Sequence, residues 1–206
     1  MSSSKDVVIN CPSCSTRLEL SCYASINVTV DPRLKQKVMD GSIHSQTCPA
    51  CKETITIFTG FLYHDMIQRI LIHYKGPNDA PTPHRAAMEK ELKDRGYIFR
   101  EVSSPLELIE KLSIFDAGLN DKVIEAWKSQ VLSGTPGSGS GAGTRMFFRE
   151  YIRSLFSRTL RFARFDAEGH MEEMRFRIKE LDPELRSNLH KMDMLRNEGW
   201  MKVGSG

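Results

Sequence analysis

Two Cys-Pro-x-Cys motifs constrain this chain more than any other feature. They are Cys11-Pro-Ser-Cys14 and Cys48-Pro-Ala-Cys51. Each motif forms a tight turn that can present two thiols to one metal ion, and the proline after the first cysteine fixes φ and helps to preset that turn. Four thiols in two pairs match the ligand set of a tetrahedral structural Zn²⁺ site. We therefore predict a zinc ribbon in which Cys11, Cys14, Cys48 and Cys51 bind one structural Zn²⁺.

The spacing between the motifs is longer than usual. Thirty-three residues separate Cys14 from Cys48, whereas roughly 15–20 residues usually separate two such motifs. An additional structural element must therefore be inserted between them. Four cysteines close the coordination shell and leave no open position for water or substrate, so the predicted ion supplies folding energy and scaffold geometry rather than metal catalysis.

Other roles for the cysteines and their neighbours are less favoured. A structural disulfide or a thioredoxin-like redox motif also uses C-x-x-C, but a redox site usually needs only one such motif and lies in a βαβ pattern, which is not visible here. His44 lies four residues before Cys48 and could replace one sulfur ligand, although four cysteines already complete the shell. Cys22 lies in an alternating stretch and is predicted to be a small buried apolar residue.

Length and composition are ordinary for a globular protein. The chain has 206 residues, of which 40% are hydrophobic and 27% are charged, so one large domain or two small ones can form a sizeable core. The first residues lack the apolar stretch of a signal peptide, and no run approaches the roughly 18 apolar residues that span a bilayer. Thiolates survive best in a reducing cytosol. We therefore expect a cytoplasmic protein that does not contact a membrane.

Periodicity and capping signals predict an α+β fold, with zinc-ribbon knuckles, short strands, several packed helices, and a C-terminal β-hairpin followed by a helix. Strands are predicted at 25–30, 55–59, 97–102, 159–165 and 171–178, and helices at 33–39, 84–95, 103–112, 121–132, 146–157 and 184–197. Residues 61–74 fit a helix better than a strand, although residues 70–74 could pair as a strand.

Residues 133–144 are predicted to be a flexible linker because they contain five glycines and almost nothing to bury. Their composition is compatible with a native loop or with an engineered joint. The linker divides a zinc-ribbon α+β domain, residues 1–132, from a helix, a β-hairpin and a second helix, residues 145–203. An isolated hairpin is marginally stable, so we expect the second part to pack on the first.

Residues 145–164 combine basic and aromatic side chains. Glu150 is the only acidic residue among six arginines, namely Arg145, Arg149, Arg153, Arg158, Arg161 and Arg164. The composition suits nucleic-acid backbones and stacked bases. The favoured alternative is that the aromatic residues occupy the buried face of a helix and hairpin. In that case several arginines pair with Glu172, Glu173 and Asp166 across the hairpin.

The first part of the chain resembles the CpXC domain family over about residues 7–130. The resemblance is carried by both Cys-Pro-x-Cys motifs and by the segments 25–34, 40–41, 62–66, 106–112 and 114–119. The two cysteine motifs with the intervening Asp31-Pro32 are its specific part. The resemblance implies a prokaryotic cytoplasmic protein of a family without an established activity.

No enzyme signature is present, because the sequence lacks G-x-G-x-x-G, P-loop, G-x-S-x-G and H-E-x-x-H motifs. His64 and Asp65 have acid/base potential, but adjacent residues face different directions, which favours packing or capping over catalysis. We therefore expect no catalytic residues and no organic cofactor. The sequence favours a non-enzymatic, zinc-stabilised CpXC-type interaction or regulatory module with a protein partner. The alternatives are a nucleic-acid-associated zinc-ribbon protein that uses residues 145–164 and, third, an enzyme.

Overall fold

The computed structural model describes residues 2–76, 85–134, 143–196 and 198–203. The chain forms two compact units. The first contains the residues up to Leu108 together with Arg196–Val203, and the second contains Ile109–Leu195. Both helices and mixed sheets are present, which confirms the predicted α+β class.

The first unit is built on a six-stranded sheet. Its strands are β1 (Ser3–Asn10), β2 (Arg17–Asn27), β5 (Phe61–Asp65), β6 (Ile70–Tyr74), β7 (Ile98–Val102) and β11 (Met201–Lys202), in the order β1-β2-β5-β6-β7-β11. The pairs β1–β2 and β5–β6 are antiparallel, whereas β2–β5, β6–β7 and β7–β11 are parallel. A separate antiparallel pair is formed by β3 (Ser45–Thr47) and β4 (Thr54–Thr56).

Two helices of the first unit begin and end close to the predicted residues. The first helix, α1 (Arg33–Met39), follows Asp31-Pro32 and buries Leu34 and Val38. The second helix, α2, spans Arg85–Lys93. Gly41 follows α1 with a φ of 77° and Gly96 follows α2 with a φ of 72°. Glycine adopts positive φ without a Cβ clash, which confirms the predicted stop signals.

Residues 61–74 form two strands rather than a helix. All five residues of β6 are buried, and a strand covered on both faces has a continuous apolar run instead of an alternating one. The turn after β5 is closed by the Asp65 carboxylate, which accepts the N–H groups of Ile67 at 3.0 Å and Gln68 at 2.9 Å. The continuous apolar pattern explains why periodicity alone did not separate helix from strand here.

The predicted strand at 25–30 ends earlier than expected. Its final residue is Asn27, and β2 begins instead at Arg17. The Asn27 side-chain oxygen accepts the N–H groups of Thr29 at 3.1 Å and Val30 at 3.3 Å. This local asparagine turn competes with continued strand pairing, so the chain leaves the sheet before α1.

The second unit combines helices with a three-stranded sheet. The helix α3 (Pro105–Asp116) contains the division between the units, and α4 (Asp121–Gly134) follows it. The antiparallel sheet has the order β10-β9-β8, formed by β8 (Arg145–Arg153), β9 (Arg158–Phe165) and β10 (Met171–Arg177). The predicted hairpin at 159–178 is therefore present. A short helix, α5 (Pro183–Asn188), follows, and Met192–Leu195 form a 3₁₀ turn in place of the end of the predicted 184–197 helix.

The predicted helix at 146–157 is wrong, because this segment contains β8 and the turn that follows it. A bulge explains the error. Phe148 pairs with Phe162 and Glu150 with Arg161, so Arg149 is the extra residue of β8. An extra residue interrupts the two-residue alternation of a strand. The apolar residues then recur at a spacing that resembles one face of a helix.

Charged side chains lie inside the second unit. Lys111 and Asp121 have side chains that are 0% exposed, and the Lys111 Nζ lies 3.2 Å from the Asp121 carboxylate and 2.7 Å from that of Glu125. Lys128 Nζ lies 2.9 Å from the carboxylate of Glu110, which also accepts the N–H of Phe148 in β8. These ion pairs connect α3 with α4, and Glu110 extends the network to the sheet.

The predicted linker falls mainly on residues 135–142, which lie outside the described residues. Its first two residues, Ser133 and Gly134, belong to α4. The division into residues 1–132 and 145–203 stays a prediction. Within the ranges that the structure covers, every helix is too short or too polar to cross a membrane.

Candidate metal centre

Both Cys-Pro-x-Cys motifs lie in the connecting loops of β-hairpins. The last pair of β1 and β2 is Asn10 with Arg17, so residues 11–16 form the first loop. The last pair of β3 and β4 is Thr47 with Thr54, so residues 48–53 form the second. The segment between the motifs contains the whole of β2, the helix α1 and the strand β3. The long spacing therefore reflects a helix placed between two hairpin loops.

The two loops have the same hydrogen-bond pattern. In the first, the N–H of Cys11 donates to the Thr16 carbonyl at 2.8 Å, and the N–H of Ser15 donates to the Cys11 carbonyl at 2.8 Å. In the second, the N–H of Cys48 donates to the Glu53 carbonyl at 2.8 Å, and the N–H of Lys52 donates to the Cys48 carbonyl at 3.0 Å. Equivalent positions therefore present each pair of cysteines in the same way.

The residue after the second cysteine of each motif has a left-handed backbone. Ser15 has a φ of 60° and Lys52 has a φ of 65°. This conformation brings the N–H of each residue back to the carbonyl of the first cysteine. Sequence reasoning missed both positions because serine and lysine carry no signal for positive φ, whereas a glycine would have indicated it.

We expect Ser15→Gly and Lys52→Gly each to stabilise the protein by about 0.5–1 kcal/mol, because glycine relieves the Cβ clash of the left-handed conformation at some cost in unfolded-state entropy. Chemical denaturation of the zinc-loaded chain measures the effect. Ser13→Gly and Ala50→Gly are matched controls inside the same loops, since neither residue has a positive φ. The controls should destabilise the protein, and an equal loss in all four variants would contradict the strain argument.

The four sulfur atoms form one compact cluster. The Sγ atoms of Cys11 and Cys51 lie 3.6 Å apart, as do those of Cys14 and Cys48. All four sulfurs lie within 4.8 Å of one another. A tetrahedral zinc site with Zn–S distances of about 2.3 Å requires sulfurs about 3.8 Å apart. The cluster therefore has the size and the donor set of a four-cysteine metal site.

Burial divides each pair of cysteines into an inner and an outer member. Cys11 is 1% exposed and Cys48 is 0% exposed, and both pack with Leu18 and Leu20. The outer members, Cys14 and Cys51, are exposed. The inner thiols thus anchor the sulfur cluster to this apolar core, and the outer thiols face the solvent.

The pKa values of the two outer thiols, Cys14 and Cys51, are shifted in opposite directions. The Thr16 hydroxyl, 3.2 Å from the Cys14 sulfur, and the Thr16 N–H lower the pKa of Cys14 to about 6. The N–H of Glu53 favours the Cys51 thiolate, but the neighbouring Cys14 sulfur raises the pKa of Cys51 to about 12. Thiolates this close repel each other unless a cation lies between them. The cluster is therefore chemically suited to a metal ion.

His44 lies outside the sulfur cluster. It is 4% exposed, and its Nε2 accepts the N–H of Tyr23 at 2.9 Å. Burial lowers the pKa of His44, so the neutral ring that accepts this hydrogen bond is favoured. Cys22 is 3% exposed, as predicted for a small core residue, and burial raises the pKa of its thiol.

His64 and Asp65, adjacent in β5, have separate structural partners. The Nε2 of His64 lies 3.0 Å from the Tyr97 hydroxyl, and burial lowers the pKa of His64. The Asp65 carboxylate accepts the two N–H groups of the β5–β6 turn. These contacts are the packing and capping roles that the sequence favoured.

The arginine-rich segment lies on β8 and β9 of the second unit. Arg161 lies 3.0 Å from the Glu150 carboxylate and 3.5 Å from that of Glu173, and Arg164 lies 3.7 Å from that of Glu172. The predicted pairing across the hairpin is therefore confirmed for these two arginines.

Two other expectations for this segment are wrong. Asp166 binds His170 at 3.0 Å instead of an arginine, because both residues belong to the same tight turn. Phe156 is 97% exposed instead of buried, because it lies in the turn between β8 and β9. The remaining aromatic residues are mostly internal, since Phe147, Phe148 and Phe162 are buried.

Comparison with known proteins agrees with this geometry. No curated protein and no solved structure matches the chain. The family model described as CpXC protein matches residues 9–128, which is more than half of the chain and includes both hairpin loops and all four cysteines of the cluster. The chain therefore belongs to the CpXC family.

Proposed function

We propose that the protein is a non-enzymatic interaction or regulatory module whose first unit is stabilised by one structural Zn²⁺. The observation that carries the metal assignment is the cluster of four sulfurs, presented by two equivalent hairpin loops. Four protein ligands complete a tetrahedral shell, which is typical of structural zinc and leaves no position for substrate.

Zinc fits this donor set better than magnesium or calcium does. Four thiolates in a tetrahedron favour Zn²⁺ or iron, whereas magnesium and calcium prefer oxygen ligands. When bound, the ion neutralises the thiolate charges and supplies folding energy. Cys11, Cys14, Cys48 and Cys51 would hold it, and Thr16 would support Cys14 through its hydroxyl.

The proposed role is regulatory or scaffolding, with a protein as the partner and the cytoplasm as the compartment. The free and exposed thiols of Cys14 and Cys51 support this compartment, because a reducing environment keeps such thiols from forming disulfides. Nucleic-acid binding through residues 145–164 is the alternative. It is less favoured because carboxylates compensate Arg161 and Arg164, and paired arginines release fewer counterions from a phosphate backbone.

Elemental analysis of the full-length chain, purified without added metal, should find about one zinc per chain. Iron in place of zinc, which a visible absorption spectrum also detects, would contradict the metal assignment. A protein with no metal and with disulfides in its place would contradict it as well.

The interaction role is tested separately by capture from a native lysate. The zinc-loaded chain should retain a defined protein partner that survives nuclease treatment. Retention of nucleic acid alone would favour the alternative function.

A further inference from the structure

The turn between β8 and β9 holds two large apolar side chains in solvent. Leu155 is 96% exposed and Phe156 is 97% exposed. The N–H of Ser154 donates to the Ser157 carbonyl at 2.8 Å, and the N–H of Ser157 donates to the Ser154 hydroxyl at 3.0 Å. These two hydrogen bonds between Ser154 and Ser157 close the turn, and the two apolar side chains lie at its tip. Exposed apolar side chains with a basic border are typical of an interaction site.

A groove lies beside this tip, wholly within the second unit. Its volume is about 620 Å³. Its lining combines the apolar side chains of Leu155, Phe156 and Ile178 with four cationic side chains, those of Arg158, Arg177, Lys179 and Arg186. We call this feature the tip groove.

The cationic side chains of the tip groove differ from Arg161 and Arg164 of the sheet, whose charges are paired with carboxylates. Among the residues that the structure describes, no carboxylate lies within 4.0 Å of the charged groups of Arg158, Arg177, Lys179 or Arg186. Two acidic residues of the neighbouring segment accept backbone N–H groups. Glu180 accepts the N–H of Arg177 at 3.1 Å, and Asp182 accepts that of Glu184 at 2.8 Å. The residues that line the groove therefore include four cations and no carboxylate, beside two exposed apolar side chains.

We propose that the tip groove binds an acidic segment of a partner protein, with an apolar side chain of that segment packed against Leu155 and Phe156. The inference deepens the proposed interaction function but does not depend on the metal assignment, because the groove and the cysteines lie in different units. Arginine and aromatic side chains are enriched in the energetically dominant parts of protein interfaces. A chain segment can enter the groove and contact its apolar and cationic lining together, whereas a flat lipid surface would meet the exposed tip first.

The test is fluorescence anisotropy with the full-length chain and a labelled peptide rich in Asp and Glu with one central Leu-Phe pair. We expect binding that weakens as salt rises, since exposed ion pairs are screened. The variants Leu155→Ser/Phe156→Ser and Arg177→Glu/Arg186→Glu should each lose at least about tenfold in affinity. Met171→Ser and Arg145→Glu are matched controls, because these exposed residues of β10 and β8 do not line the groove, and they should bind normally.

Two further peptides separate the contribution of the acidic residues to binding from that of the apolar pair. Replacing the acidic residues by Gln, or the Leu-Phe pair by Ser-Ser, should each weaken binding. Circular dichroism confirms that the variants are folded. No binding of the acidic peptide to the folded, zinc-loaded chain would overturn the proposal, and so would equal loss in the control variants.

Lipid vesicles and oligonucleotides are tested as alternative ligands of the tip groove. Phosphatidylserine vesicles that bind in a Leu155- and Phe156-dependent manner, without peptide binding, would overturn the proposal in favour of a membrane. Displacement of the peptide by an oligonucleotide with higher affinity would overturn it in favour of nucleic acid. A peptide failure combined with a captured protein partner would reject the tip groove alone and would leave the proposed interaction function intact.

Discussion

Replacing Cys48 by serine is expected to abolish stoichiometric zinc binding and to unfold much of the first unit. Cys48 is 0% exposed and contributes one of the four clustered sulfurs. Structural zinc binding in small domains is worth about 10–16 kcal/mol, which is comparable to the whole stability of about 5–15 kcal/mol of a typical folded protein. Loss of one ligand should therefore remove most of the stability that the two hairpin loops provide. Zinc content and thermal unfolding measure the two effects together.

Cys22→Ala is the matched control for this experiment. Cys22 is also buried, at 3% exposure, but its sulfur is not part of the cluster. Its replacement should cost about 1 kcal/mol of packing and leave the zinc content unchanged. A Cys48→Ser protein that retains full zinc and an unchanged melting temperature would reject the metal site.

Replacing Lys111 by methionine is expected to destabilise the second unit by about 3–5 kcal/mol, because it removes the cation that faces the buried Asp121 carboxylate. Asp121 has a side chain that is 0% exposed and lies 3.2 Å from the Lys111 ammonium group. Burial lowers the pKa of Lys111, but the carboxylates of Asp121 and Glu125 raise it by more than burial lowers it. The pKa of Lys111 is therefore above its ordinary value. The lysine is therefore charged at neutral pH, and its contribution to stability is lost only as the pH rises through its raised pKa.

Denaturant unfolding near neutral pH measures this loss, with Arg95→Met as a control. Arg95 forms an exposed ion pair with Glu91 on α2, with side chains 66% and 67% exposed, and such pairs contribute little. A double replacement of Lys111 by Met and Asp121 by Leu should recover part of the stability, because apolar substitution of a buried pair removes both desolvation costs. A single Lys111→Met variant as stable as Arg95→Met would show that water or backbone groups compensate the remaining carboxylate.

The sequence predicted those features that depend on short-range chemistry. The four clustered cysteines follow from a doubled motif, and α1 follows from Asp31-Pro32 before it and Gly41 after it. The hairpin of β9 and β10 has clear alternation and a tight turn. In each case the residues that define the feature are close neighbours along the chain, so pattern and propensity are sufficient.

The features that sequence reasoning missed depend on distant residues. The bulge at Arg149 is defined by pairing with β9, and the strand character of residues 146–153 becomes clear only with that pairing. The sequence predicts a helix at 103–112 but not the burial of Glu110 and Lys111, because a charged residue is ordinarily expected at the surface. Their partners come from α4, and the spatial pairing that makes their burial tolerable is not visible in a local window.

The position of β11 has a consequence for when the six-stranded sheet can be completed during synthesis. All four clustered cysteines lie within residues 11–51, so the ribosome releases the complete ligand set before β5, β6, β7 and β11. Met201 and Lys202 of β11 pair with Arg100 and Glu101 of β7, and the ring of Trp200 lies 5.3 Å from that of Phe99. At a synthesis rate of about 5–20 residues per second, roughly 5–20 seconds separate β7 from its last neighbour. During that interval one edge of β7 is open in the nascent chain, and the six-stranded sheet reaches its final width only after Met201 and Lys202 have been synthesised.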